Sequence, residues 1–368
     1  MLDVTLCVDA LEPRPGGIGR YTWELCNGLA RREDISLRYY ARGQIIRDPS
    51  KLLAETSRLW GLERRLVRAI GSPGARSALH STIVHGPNYF LPGPARYGVV
   101  TVHDLSVLHF PELHPAKRVA DFERNLERSI RQSCQLITDC ETIRSELVDF
   151  SGVPADRVSA VPLGISTEFR PVALADKAPV LRQYGLPHSG YGLTLSTLEP
   201  RKRIDRLLSA WRELPGETRD RYPLVIAGAA GWKNTSLHSQ IERAAVEGWV
   251  IPLGFVAETD LPAIYSGATL FAYPSIYEGF GLPPLEAMAC GVPTIVAEGS
   301  CLVEIAKGAA MVAEPDDIAG FTEDLLRALE DDQWRNEAIS AGIQVATGYT
   351  WDQCVDQTVA IYQRVSLN

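Results

Sequence analysis

Two glutamates eight residues apart, Glu278 and Glu286, bracket a glycine turn (Gly279-Phe280-Gly281) and a proline pair, Pro283 and Pro284. Proline suits the first turn of a helix, where its missing N–H costs little, so residues 284–290 read as a short helix. Backbone N–H groups at such a start, aligned with the helix dipole, can receive an anion. A carboxylate at each end can grip hydroxyls. One short element can therefore hold a phosphate and two polyols, the outline of a nucleotide sugar. An ordinary loop and helix carrying two surface glutamates fits the same spacing.

Three further clusters bear on that chemistry. Arg201 and Lys202 follow an apolar strand pattern at its carboxyl end. Two cations there can neutralise a diphosphate, the arginine through planar bidentate geometry and the lysine as a point charge. Cations at a helix start oppose the helix dipole, which favours a nearby anionic ligand over a plain basic helix terminus. Pro15-Gly-Gly-Ile-Gly-Arg-Tyr21 joins the first strand to a helix. Glycine there lets backbone approach a phosphate or sugar, although a simple tight turn would look the same. The loop is not a full G-x-G-x-x-G and no Walker lysine follows it, which weighs against a nicotinamide or ATP site. His103 and Asp104 end another strand, where a histidine is commonly a hydrogen-bonded structural residue.

These clusters sit on an alternation of strands and helices that runs end to end. Residues 4–8, 82–85, 98–103 and 135–138 read as strands, with helices over 18–31, 117–132 and 141–150. Residues 166–190 hold Pro171, Pro179 and Pro187 and little periodicity, and read as an interdomain linker with at most one short helix. Strands resume at 193–197, 224–227, 249–253, 270–273 and 294–297, with a helix over 203–213. The expected fold is α/β: two Rossmann-like parallel-sheet domains, with ligands at the strand carboxyl ends.

Composition excludes several function classes. The 368 residues, 45% of them hydrophobic, suffice for two cores. A net charge of −8 gives no support to nucleic-acid binding. Seven scattered cysteines without a C-x-x-C pair argue against a disulfide framework or zinc site and for a reducing, cytoplasmic setting. No signal-peptide pattern opens the chain, and no apolar run approaches the ~20 residues that cross a bilayer. Residues 51–70 mix Leu52, Leu53, Leu59, Trp60, Leu62, Leu66 and Val67 with Arg58, Arg64, Arg65 and Arg68. Such a basic helix can lie peripherally on the inner face of an anionic membrane or pack on its own domain.

The run Tyr273 to Pro293, with its E-G-F-G-L-P core, resembles the paired-glutamate motif of retaining glycosyltransferases of family 4, and the other clusters match the same family. The resemblance implies the GT-B architecture: two facing domains with a cleft between them. It implies an N-terminal acceptor domain over 1–170, a C-terminal donor domain over 171–350, and a final helix in 351–368 that returns to the first domain. By the same resemblance, Glu278 meets the transferred sugar, and Gly279, Phe280, Gly281 and Leu282 face the sugar and diphosphate. Glu286 binds the ribose, Arg201 and Lys202 bind the diphosphate, and Val256, in Leu253-Gly-Phe-Val256, meets the nucleobase. For Phe255 itself a core position fits equally well. Gly16 and Gly17 lie near donor phosphates and acceptor, and His103 approaches the transferred sugar. Asp104 orients His103 or touches the acceptor.

The T-L-E-P-R-K form of the cationic motif is most similar to bacterial mannosyltransferases, so a hexose, mannose from GDP-mannose, moved onto a glycan or lipid-linked saccharide is the leading expectation. A UDP-glucose-type donor is the alternative within the family. An epimerase, a phosphorylase and a non-catalytic binding scaffold are alternatives outside it. The chain contains no D-x-D triplet, and Arg201, Lys202 and helix amides can supply the charge a metal would, so no metal or other cofactor is expected. One departure from the family pattern is Thr138-Asp-Cys-Glu-Thr142, where a V-S-E-x-S run is common; it bears on the acceptor side.

Overall fold

A computed structural model describes residues 1–13, 16–54, 73–93, 95–188, 190–228 and 235–367. The chain divides into two compact units, one of Met1–Gly164 with Thr350–Asn368 and one of Ile165–Tyr349. Among the described residues no helix is long and apolar enough to cross a membrane. Most of the amphipathic 51–70 segment lies outside the described residues.

The first unit is built on a seven-stranded sheet of order β3-β2-β1-β4-β5-β6-β7. Its strands are β1 (Leu2–Cys7), β2 (Ile35–Ala41), β3 (Gln44–Ile46), β4 (Ile83–Gly86), β5 (Tyr97–Val102), β6 (Ser133–Thr138) and β7 (Val158–Ala160). All neighbours pair in parallel except β2 with β3, which form a hairpin. The helix Gly17–Ala30 buries Tyr21, Leu25 and Leu29, residues four apart on one face. The terminal helix Trp351–Leu367 lies against that helix and against β1, β4, β5 and β6. Gly28 seats it, because a Cβ there would overlap Val355. Arg31 and Arg32 add ion pairs to Asp352 and Asp356, but these are exposed and contribute little.

The second unit carries a fully parallel six-stranded sheet of order β10-β9-β8-β11-β12-β13. Its strands are β8 (Gly192–Leu195), β9 (Leu224–Ala227), β10 (Val250–Gly254), β11 (Leu270–Tyr273), β12 (Thr294–Ala297) and β13 (Met311–Ala313). The edge strands β10 and β13 are partly exposed, while the four inner strands β9, β8, β11 and β12 are short and almost wholly buried, as a sheet covered on both faces requires. The helix Ile204–Glu213 buries Leu207, Leu208 and Trp211 against them. Each such large apolar side chain contributes roughly 1.5–3 kcal/mol on burial. Residues 166–190, expected as a linker with at most one short helix, contain one, Leu174–Gln183, which tolerates Pro179 inside it and packs on the helix Leu261–Gly267.

Strand order reverses between β1 and β4 in one sheet and between β8 and β11 in the other. Loops leaving such neighbouring strands diverge, which opens a crevice at their carboxyl ends. Most of the expected site residues lie in loops of that kind. Gly16 and Gly17 follow β1, Arg201 and Lys202 follow β8, and Glu278 follows β11.

Candidate active site

In the second unit the loop after β8 folds as a tight 3-10 turn, Pro200–Lys202, and Arg203 then takes a left-handed backbone (φ 50°) before the next helix begins. A non-glycine residue in that conformation costs of order 1–2 kcal/mol. Arg203 and Arg206 are both tied to Asp316, at 3.3 and 2.8 Å. The turn aims Arg201 and Lys202 at the loop after β11. Lys202 Nζ donates to a Glu278 carboxylate oxygen and, at 3.0 Å, to the Tyr273 hydroxyl. Arg201 donates to the other Glu278 oxygen at 3.2 Å, to the Tyr277 carbonyl at 2.7 Å and to Glu199 at 3.1 Å.

Two cations and two carboxylates thus share a buried cluster. Burial alone would raise the Glu278 carboxyl. Lys202 and Arg201 outweigh it and, with hydrogen bonds from Lys202 and Ser275, bring it down to about 2. Burial pulls the Lys202 ammonium below its ordinary value against the opposing pull of Glu278. Glu278, expected to face sugar hydroxyls, is here the anion that holds both cations. Glu199 was assigned no role in the sequence, although it lies two residues before Arg201 in the same motif.

The helix after this loop is Leu282–Ala289, two residues earlier than the sequence suggested, with Gly281 as N-cap at φ 103°. A Cβ on Gly281 would overlap the Leu302 side chain, so both backbone and packing call for glycine. Pro283 and Pro284 have no N–H, so Leu282 and Leu285 alone offer one in the first turn. The expected anion-binding helix start is therefore narrower than a full turn of donors. Among the described residues the N–H groups of Phe280, Gly281 and Leu282 meet no backbone carbonyl. Glu286 sits on the same helix, 2% exposed, and accepts from the Tyr265 hydroxyl at 3.0 Å. Val256 is buried just past β10, whereas Phe255 is 61% exposed. The core position that fitted Phe255 equally well in the sequence is not what it occupies.

In the first unit His103 is buried at the end of β5. Its Nδ1 lies 2.8 Å from Asp139 and its Nε2 lies 2.8 Å from the Pro87 carbonyl. The Pro87 carbonyl can only accept, so Nε2 donates to it, and Nδ1 is held by the Asp139 carboxyl. Burial lowers its pKa, but the Asp139 carboxylate and the two hydrogen bonds outweigh that and raise it above the ordinary imidazole value. Asp104, expected to orient His103 or touch the acceptor, accepts from the backbone and hydroxyl of Ser106 at 3.0 and 2.8 Å. The orienting carboxylate is Asp139, which stands in the 138–142 departure noted in the sequence. A Cβ on Gly16 or Gly17 would meet nothing within 4 Å, so neither position is crowded.

A cavity of about 880 Å³ opens beside that histidine's partner, lined by Asp9, Arg42, Pro87, Asn88, Phe90, Asn125 and Arg128 among others. It lies at the carboxyl ends of β1, β2 and β4. Arg42 takes a left-handed backbone (φ 52°) in the β2–β3 turn, with its N–H on Asp9 at 2.9 Å.

Known proteins place this arrangement. The family model for Glycosyltransferase Family 4 matches residues 15–169, and that for Glycosyl transferases group 1 matches residues 188–345. Sucrose-phosphate synthase from Thermosynechococcus elongatus shares the fold over 100% of both chains, with a TM-score of 0.78 at 19% identity. Anabaena HepE, solved in complex with UDP-glucose, superimposes with a TM-score of 0.74 at 18% identity, covering 100% of each chain. The class is the two-domain GT-B glycosyltransferases. The chain belongs to glycosyltransferase family 4. E. coli O-antigen chain mannosyltransferase B is 38% identical over 364 residues, covering 94% of this chain and 96% of the relative. The E. coli serotype-specific mannosyltransferase WbdA is 27% identical over 280 residues, where this chain spans 34% of its length.

Proposed function

We propose that this glycosyltransferase moves mannose from GDP-mannose onto a saccharide acceptor, free or lipid-linked, in the assembly of a surface polysaccharide. The full-length similarity to an O-antigen chain mannosyltransferase carries this reading. The donor lies on the second unit. Its diphosphate takes over the Arg201 and Lys202 bonds now made to Glu278, which releases that carboxylate to the sugar hydroxyls. Glu286 serves the ribose and the loop before β11's neighbouring helix, through Val256, the base. The acceptor lies on the first unit, in the cavity beside Asn88, Asn125 and Arg128, which offers the carboxamide and guanidinium donors that sugar hydroxyls require.

In the reaction an acceptor hydroxyl oxygen bonds to the anomeric carbon as the bond to the donor diphosphate breaks. The hydroxyl proton passes to a phosphate oxygen, and the anomeric configuration is retained. The protein's part is positioning and stabilisation of charge on the leaving diphosphate. Arg201 and Lys202 supply that stabilisation without a metal, so activity is expected to persist in excess chelator. Loss in chelator with recovery on adding magnesium or manganese would refute this.

The deciding measurement is thermal stabilisation by nucleotides and nucleotide sugars, since a ligand of the native state raises the Tm. GDP and GDP-mannose are expected to shift it, and UDP and UDP-glucose are not. A UDP-selective shift would keep the family and replace the sugar. Peripheral binding to anionic vesicles through residues 51–70 is a subsidiary proposal, tested by co-sedimentation.

A further inference from the structure

We infer that Cys301 is a positioning residue for the donor: its thiol sets the direction of the backbone N–H groups in the Glu278–Gly281 loop. The inference rests on the donor reading given above. Cys301 begins the short helix Cys301–Ala306 after β12, and it is buried, at 1% exposed. Its Sγ lies 3.0 Å from the Glu278 carbonyl oxygen and 3.5 Å from that of Phe280. Two carbonyls of one loop, two residues apart, therefore converge on a single S–H.

A trans peptide is planar, so the C=O of one residue and the N–H of the next point in opposite directions. Among the described residues no peptide bond is cis. Drawing the Glu278 and Phe280 carbonyls onto the thiol consequently turns the Gly279 and Gly281 N–H groups away from it. The Gly281 N–H, which meets no backbone carbonyl among the described residues, is thereby directed to donate to an anion. Leu302, the next residue, fills the space behind Gly281 that a Cβ would need. The loop is thus held from behind by a hydrogen-bond donor and by a packed side chain, both from one element. Just before the loop, Arg201 and Ser275 hold the Tyr277 carbonyl, at 2.7 and 3.3 Å.

A carbonyl pair this well buried needs a donor, and a thiol is a weak one. A serine hydroxyl at the same place keeps the O–H for the two carbonyls, whereas alanine removes the donor and little volume. The experiment is steady-state kinetics in GDP-mannose at saturating acceptor, with donor affinity by calorimetry and Tm of the ligand-free protein, for wild type, Cys301→Ser and Cys301→Ala. Donor KM and Kd are expected to rise about five- to tenfold in the alanine variant, the scale of one misaligned hydrogen bond. The serine variant is expected within about twofold of wild type on the same scale, and the ligand-free Tm should not order the three proteins as donor affinity does. Should alanine prevent folding, Cys301→Val fills the site without a donor and is read in the same way. Equal donor KM in Ser and Ala (or Val) variants, or a loss of affinity that follows Tm, would overturn the inference. If wild type itself binds no GDP-mannose, the donor reading has failed instead.

Discussion

In the second unit two cations, Lys202 and Arg201, converge on one carboxylate, Glu278; in the first unit one imidazole, His103, is held between two partners, Asp139 and the Pro87 carbonyl. The first arrangement has donors to spare, because an ammonium offers three and a guanidinium five. An incoming diphosphate can replace Glu278 at those donors, provided that the sugar hydroxyls take up the buried carboxylate it displaces. The second arrangement has spent both ring nitrogens. His103 can be held in orientation, but it can give a proton bond to a substrate only by surrendering Pro87. The difference separates a cluster that must exchange partners to work from one that fixes geometry.

Lys202→Ala tests the exchangeable cluster with the largest expected effect. It removes a cation from the departing diphosphate and leaves Glu278 with Arg201 alone. A loss of about 10²–10³ in kcat/KM is expected, in line with removal of one transition-state donor. Glu286→Ala should cost far less, in kcat. Equal and small effects from the two would place the donor site elsewhere.

The fixed cluster continues into a neutral one. Tyr21 hydroxyl, Thr101 hydroxyl, His85 and Tyr362 hydroxyl form a buried chain at 2.9, 2.8 and 2.6 Å, which ties the terminal helix to β4 and β5. Burial, with a smaller push from His103, lowers the His85 pKa to about 3. The ordinary imidazole value applies in the unfolded chain. The folded pKa is therefore the lower, and the associated stability is complete above about pH 6.5 and is lost as pH falls toward 3. Urea unfolding should show a loss of roughly 2 kcal/mol from this group between pH 7 and 5. His85→Gln should be less stable at pH 7 and should lack that part of the pH dependence. An unchanged slope in the variant would show that other groups carry it.

Much of this was legible in the sequence, for identifiable reasons. Strands β11 and β12 were read at their true limits because a central parallel strand is a continuous apolar run. The edge strands β3, β7 and β13 were not read, since three residues with partial burial carry no period. Arg201, Lys202 and Glu278 were found through their motif, and the structure brings them together. Their ion pairing was not legible, because pairing between residues more than seventy positions apart is decided by β8 lying beside β11. Asp139 was missed for the same reason: β6 places it next to β5, while the sequence offered Asp104 as the nearer carboxylate.

Tyr362→Phe isolates the anchoring of the terminal helix. It leaves His85 Nδ1 without its hydroxyl partner in a fully buried position, at an expected cost of about 1–3 kcal/mol. Tm should fall while donor affinity holds, since the change lies wholly within the first unit. A fall in donor affinity without a fall in Tm would contradict the separation of roles drawn here.

The smallest effect is expected where the exchangeable cluster gives way to a fixed carboxylate. Glu286 is as buried as His103, yet its carboxyl accepts from a neutral hydroxyl, that of Tyr265. Tyr265→Phe removes that hydroxyl and keeps the ring, which packs edge-on against Phe169 and Phe271. If Tyr265 only aims Glu286 at the ribose, the variant should lose about 1 kcal/mol of donor affinity, near fivefold, with kcat unchanged. The same loss should be absent for mannose 1-phosphate, which has no ribose. A loss of equal size for both ligands would mean that Glu286 supports the loop it follows, and would align it with the fixed cluster of the first unit.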